Sequence, residues 1–190
     1  ALALPAGRRR AAWYASYIET LVQRDVRDLA RIGALDAMPR LLALAASQTA
    51  RLLNVAELAG PFQLSRPTIR DYVTLLARVF LLEELPPWHS NRLSRLVKTP
   101  KLHMADTGLA CALLEAGADS IEADRALLGQ LLETFAFQEL RRLASWHEDR
   151  ISLFHFRDRD GTEVDIVLER GARGLRSEER RVGKECRSRW

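Results

Sequence analysis

Apolar residues recur at three- and four-residue steps through Trp13, Tyr14, Tyr17, Ile18, Leu21, Val22 and Val26. That spacing predicts an amphipathic helix over roughly 10–30, with Glu19, Gln23, Arg24, Arg27 and Asp28 on its polar face. A second stripe, Leu41, Leu42, Leu44 and Ala45, follows a capping Asp36 and a first-turn Pro39, and predicts a helix running on toward Arg51.

Asn54 is placed to cap a short helix over 55–59, the pair Gly60-Pro61 breaks it, and Ser65 caps the next with Pro67 just inside. Ile69, Tyr72, Val73, Leu75, Leu76 and Val79 give that helix one buried face. Two helices joined by a short turn outline a helix-turn-helix, and the extended runs 80–85 and 101–106 that follow form a wing. Residues 54–106 therefore read as a winged helix-turn-helix. Beyond them, 107–116 reads as a short helix ending at Gly117. Asp124 caps a longer one, with Leu127, Leu128, Leu131, Phe135 and Leu140 turned inward. Residues 151–169 alternate as a β-hairpin around Asp160-Gly161, with Phe154 and Phe156 on one face and Val164, Ile166 and Leu168 sharing a face on the second strand. Two strands alone are marginal in water, so the pattern requires a third.

Composition changes the picture at one place. The chain has 190 residues and a formal charge of +4, yet residues 176–190 hold six of the basic and three of the acidic residues, leaving 23 and 22 in 1–175. The body is thus nearly neutral and offers no broad electrostatic footprint for nucleic acid. The segment 176–190 shows no apolar period, and a solvated, unstructured tail is expected. It resembles the translation of a sequencing-adapter oligonucleotide, since RSEER can be written AGA TCG GAA GAG CGT, and that likeness sets it apart from the fold. With Cys186 in the tail, Cys111 stands alone in the body, so no disulfide framework is available there and a reducing compartment is expected. No apolar run approaches the ~20 residues of a membrane span. The opening ALALPAGRRR reverses the order of a secretory signal, so a cytoplasmic setting without membrane contact is expected.

Candidate chemistry is sparse. No GxxxxGK[ST] phosphate cradle occurs, and His89, His103, His147 and His155 lack metal-ligand spacing, so no metal site is indicated by pattern. The second helix of the helix-turn-helix presents Arg66, Thr68, Arg70 and Asp71 where a recognition helix meets a major groove, and Arg92, Arg95 and Lys98 in the wing loop suit phosphate contacts. The same module serves equally as a protein-protein spacer. Glu133 on a helix and Asp165 on a strand form the start of a Mg²⁺ site for phosphodiester hydrolysis, or else the acids are a plain solvent face on an amphipathic hairpin.

The runs YIETLVQRDVRDL (17–29), LLNVAELA with LSRPTIRDYVTLL (52–76), LPPW with RLVKTPKLHMADTGL (85–109), LLETFAFQEL and FHFRDRDGTEVDIVLE together resemble the C-terminal half of a family of bacterial and archaeal AAA-type ATP-binding proteins. That half is a domain of unknown function. The resemblance implies an upstream P-loop ATPase module as partner, with ATP and Mg²⁺ as cofactors of the longer protein and none for this fragment. It also implies an α-rich α+β chain: N-terminal helices over 1–53, a winged helix-turn-helix over 54–120, and a truncated restriction-endonuclease-like (PD-(D/E)xK) portion over 121–175. Glu133 and Asp165 match that fold's first two acids. Its third-strand E-x-K is expected just past Leu175, where the adapter-like segment stands instead, so hydrolysis by this chain is not expected. Arg24 or Arg27 is placed to serve the ATPase module as a lid or finger arginine, or to form a plain solvated surface. The expected role is a winged-helix binding module beside an incomplete nuclease-like domain; the alternative is a self-contained, transcription-factor-like DNA binder.

Overall fold

Strong local capping signals organise the first half of the chain. The computed structural model describes residues 8–21, 24, 37–90, 98–158, 161–171 and 174–181. These form a mixed α/β protein of two units, one comprising Ala1–Glu83 and Leu102–Thr134, the other Glu84–Lys101 and Phe135–Trp190. The expected boundaries at 53, 120 and 175 follow the chain in order, whereas the two units are interleaved along it.

In the first unit α1 (Arg8–Leu21) buries Ile18 and half-buries Tyr14 and Leu21. Trp13 and Tyr17, one turn apart on a neighbouring line, instead stack on each other outside, with ring centroids 5.2 Å apart. Helix α2 (Met38–Ser47) buries Met38, Leu41, Leu42, Ala45 and Ala46 and provides the centre of the core. The expected run toward Arg51 stops at Ser47. Ala50 adopts the left-handed φ of 61°, which no helix continues through, and its N–H bonds Leu102 O at 2.7 Å, turning the chain into β1 (Arg51–Leu52). The expected cap Asp36 lies outside the described residues.

Asn54 caps α3 (Val55–Ala59), its Oδ1 accepting from Ala56 N and Glu57 N, both at 3.2 Å. A 3₁₀ turn (Gly60–Phe62) and Gln63 at φ 54° reverse the chain into α4 (Arg66–Arg78), whose Ser65 cap accepts from Thr68 N at 3.2 Å. One face of α4, Ile69, Tyr72, Val73, Leu75 and Leu76, is buried. Strands β2 (Leu82–Leu85) and β3 (Lys101–Met104) join β1 in a three-stranded sheet of order β1-β3-β2. Asp106 caps α5 (Thr107–Leu113), and a short α6 (Ala118–Ala123), unexpected from the pattern, follows. Asp124 Oδ1 accepts from Ala126 N and Leu127 N at 3.0 Å each, starting α7 (Arg125–Ser145). Of the residues expected to face inward on α7, Leu131 is buried and Leu127, Leu128 and Leu140 are half-buried. Phe135 is 51% exposed, because it falls about 100° around the helix from the arc centred on Thr134.

The second unit holds the antiparallel sheet β4 (Ile151–Arg157), β5 (Glu163–Arg170) and β6 (Gly174–Arg181), with Gly161 at φ 88° turning β4 into β5. Strand β6 corrects one expectation: residues 176–181, read as unstructured tail, supply the third strand that the hairpin needs, pairing Val167 with Ser177 and Ile166 with Glu178. The remainder, 182–190, lies outside the described residues.

A bulge corrects a second expectation. Phe154 pairs with Val167 but Phe156 with Val164, so Asp165 and Ile166 together face the single His155. Alternation along unbroken β4 keeps Phe154 and Phe156 on one face, and Val164 joins them there. Leu168, paired with Leu153, lies on the other face, so Val164 does not share the face of Leu168 as strict alternation requires. Glu163, paired with Arg157, and Glu169, paired with Ser152, therefore lie on opposite faces. Leu85, Phe137 and Ile166 make a small core, with Ala136, Leu140, Leu153 and Leu168 packed against it.

Leu76 is wholly buried in the first core, so Leu76→Ala is expected to cost about 2–5 kcal/mol. The measurement is the urea midpoint, which should fall at unchanged slope; an unchanged midpoint would mean that α4 does not pack as described.

Candidate functional site

Two arrangements carry the chemistry, one in each unit. In the first, the caps at Asn54 and Ser65 set α3 and α4 around a tight turn, and the buried face of α4 fixes its roll. Arg66, Arg70 and Asp71 are consequently exposed on the opposite face, and Thr68 is half-buried with its hydroxyl 2.7 Å from Ser65 Oγ. Lys98 is exposed, while Arg92 and Arg95 lie outside the described residues. Arg24 is exposed; Arg27 lies outside them.

In the second unit, Lys101 opens β3 immediately after Pro100, with its side chain 3% exposed. Its ammonium donates to Asp165 Oδ1 at 2.9 Å and lies 3.1 Å from Glu163 Oε1. Two carboxylates on one strand thus share one buried cation. The β-bulge places His155 opposite Asp165, and its Nε2–H donates to Thr99 O at 3.3 Å, while Nδ1 has no partner among the described residues. Burial, then the Lys101 charge, lower the His155 pKa from 6.5 to about 4, against a raising contribution from the Thr99 carbonyl. The ring is therefore neutral at physiological pH. His155 also joins segment 84–101 to the sheet through its backbone, N to Pro86 O at 3.0 Å and O from Trp88 N at 2.6 Å. Trp88 covers the other face, donating from Nε1 to Glu169 Oε2 at 2.9 Å and meeting Phe156 edge-on.

Glu133 is buried, 7% exposed, on α7 in the first unit, and Asp165 belongs to the second. Among the described residues no three His, Cys, Asp or Glu side chains converge as metal ligands. Asp165 has instead engaged the Lys101 ammonium, and two carboxylates already countered by a lysine do not fit the octahedral oxygen shell of Mg²⁺.

Sequence reasoning missed Lys101. The available signal was a lysine in the short strand KLHM, all four residues of which are buried. It also missed a polar link in the first unit, where Thr49 and Thr134 hydroxyls meet at 2.8 Å, His103 Nδ1 lies 3.2 Å from Thr134 Oγ1, and Met104 N donates to Thr49.

A mixed α/β protein of two units interleaved along the chain, with two capped helices around a tight turn in one and a buried lysine-carboxylate cluster in the other, is the class defined by these features. Residues 1–120 match the family described as Domain of unknown function (DUF8612), and the chain belongs to that family. Residues 128–179 match a second description, Domain of unknown function (DUF4143). Uncharacterized proteins of Mycobacterium bovis and Mycobacterium tuberculosis are each 31% identical over 165 residues, covering 86% of this chain. The chain spans 36% of the length of each of these relatives. No solved structure matches at a significant level. Among the described residues no helix is long and apolar enough to cross a membrane.

Two outcomes follow from the cluster. Asp165→Ala leaves the buried Lys101 charge short of its closest partner and is expected to cost about 3–5 kcal/mol, whereas the apolar pair Lys101→Met with Asp165→Leu should cost clearly less. Equal losses in urea unfolding would show that packing, not charge compensation, sets the cost. Acidification gives the second. Between pH 6.5 and 4 the unfolded chain binds a proton at His155 that the folded chain excludes, so stability falls as pH drops through that window, by on the order of 3 kcal/mol. His155→Gln should lack that portion of the pH dependence; superimposable pH profiles would refute the assignment.

Proposed function

We propose that the chain is the winged-helix binding module of a longer ATP-binding protein, carrying a nuclease-like domain used for docking rather than for hydrolysis. The observation that carries this reading is the α4 face: a Ser65-capped helix start with Arg66 and Arg70 exposed, held in place by the buried Ile69, Tyr72, Val73 and Leu76 on its other side. Exposed guanidinium groups at the first turns of the second helix match what backbone and base-edge contacts in a major groove require. The second matched domain is commonly associated with AAA-type ATPases, and a chain spanning 36% of its relatives leaves room for such a module in the longer protein. ATP and Mg²⁺ would belong there, not to these residues. The order α7-β4-β5-β6, with Glu133 on the helix and Asp165 on the second strand, supports likeness to the PD-(D/E)xK core. The Lys101 ion pairs support a docking role for it, because they commit Asp165 to holding the unit together.

The near-neutral body favours modest, salt-sensitive duplex binding over tight sequence-specific binding. Fluorescence anisotropy with a mixed-sequence duplex at about 50 and 200 mM salt tests this. Binding is expected to weaken with salt, and the Arg66→Ala/Arg70→Ala variant should flatten the slope by about two. A double variant that binds with the parental slope would remove α4 from the interface. A scrambled duplex bound far more weakly than a chosen site, without ATP, would favour the self-contained DNA-binder reading instead.

A further inference from the structure

Glycine is a poor helix former, yet Gly108 stands second in α5 with a backbone conformation open to any residue. The requirement for glycine comes from α1. A Cβ at this position would meet the Tyr14 hydroxyl at 2.5 Å, Asp106 Oδ1 at 3.1 Å and Tyr14 Cζ at 3.5 Å. The first distance is far inside van der Waals contact, so the space a side chain would fill is the space the phenol occupies. Asp106 is not free to yield, because the same Oδ1 caps α5 by accepting from Leu109 N at 2.6 Å. Trp13 packs edge-on against the Tyr14 ring, with centroids 5.1 Å apart, and limits its swing. Burial, followed by the Asp106 charge, raises the Tyr14 pKa above its ordinary value, so the phenol keeps its proton in this seat.

Little else fastens α1. Among its described side chains only Ile18 is buried, with Tyr14 and Leu21 packed against the core beside it, and α1 packs chiefly on α5. Helices α2 and α4 bury five residues each. An element with so few buried apolar contacts opens at lower cost than the core it rests on. We propose that α1 is a separable strap of the first unit, held shut by a latch in which the Tyr14 hydroxyl sits over Gly108, and that it opens without unfolding α2 or α4. Opening exposes Ile18 and empties the seat over Gly108. Gly108 is thus conserved space for a neighbour's side chain, and its cost in helix propensity is offset by the docking of α1.

Hydrogen–deuterium exchange read by mass spectrometry on the full 190-residue chain tests the proposal, with Gly108→Ala, Tyr14→Phe and the double variant beside the wild type. In the wild type, amides of 12–21 should exchange faster than those inside α2 and α4. Gly108→Ala should quicken exchange in α1 by about tenfold or more and leave α2 and α4 unchanged. Tyr14→Phe removes the obstructing oxygen, so in that background Gly108→Ala should change α1 exchange by no more than about twofold. Wild-type α1 exchanging as slowly as α2, or Gly108→Ala quickening α2 and α4 along with it, would overturn the separable strap, because α1 would then belong to the cooperative core. An α1 unaffected by Gly108→Ala, or equally quickened in both backgrounds, would overturn the hydroxyl latch.

Discussion

The Lys101 ammonium, 2% exposed as a residue, lies within 3.1 Å of Glu163 and Asp165, and the second unit is arranged around that contact. A buried charge is tolerated only where its counter-charge is held at hydrogen-bond distance, so the register of β5 beside segment 84–101 is tightly constrained. The bulge opposite His155 follows from the same constraint. It brings Asp165 and Ile166 together across from one residue of β4, so a carboxylate and an apolar side chain are presented where strict alternation would alternate them. The neutral imidazole completes the arrangement, since a second cation beside Lys101 would be unfavourable there.

That cluster also bears on chemistry. Recruiting Asp165 for metal binding would deprive the buried ammonium of its nearer counter-charge and leave it only the partly exposed Glu163. Among the described residues no three potential metal ligands converge, and the two acids beside Lys101 take a structural partner instead.

Much of the first unit was legible because its signals are local. Asn54, Ser65 and Asp124 each cap the helix that their residue type and position announced, and the α4 stripe faces the core as its spacing requires. What escaped depends on contacts distant in sequence. Lys101 is 64 residues from Asp165, Thr49 is 85 from Thr134, and neither pair leaves a trace in any short window. The end of α2 at Ser47 is set by a left-handed Ala50, a conformation that alanine's own preference argues against. Phe135 misled because a helix apolar on two sides gives periodicity no single face to report.

The chain passes between its two units at 83–84, 101–102 and 134–135, whereas the family matches end at 120 and begin again at 128. Segment 84–101, inherited with the first match, contributes Trp88 and Lys101 to the unit that contains most of the second. A recombination event joining one match to a foreign partner at residues 121–127 would thus strand the lysine from its acids. Each region taken singly has the appearance of an independent domain, yet the charge balance of the second unit depends on a lysine that the first match supplies.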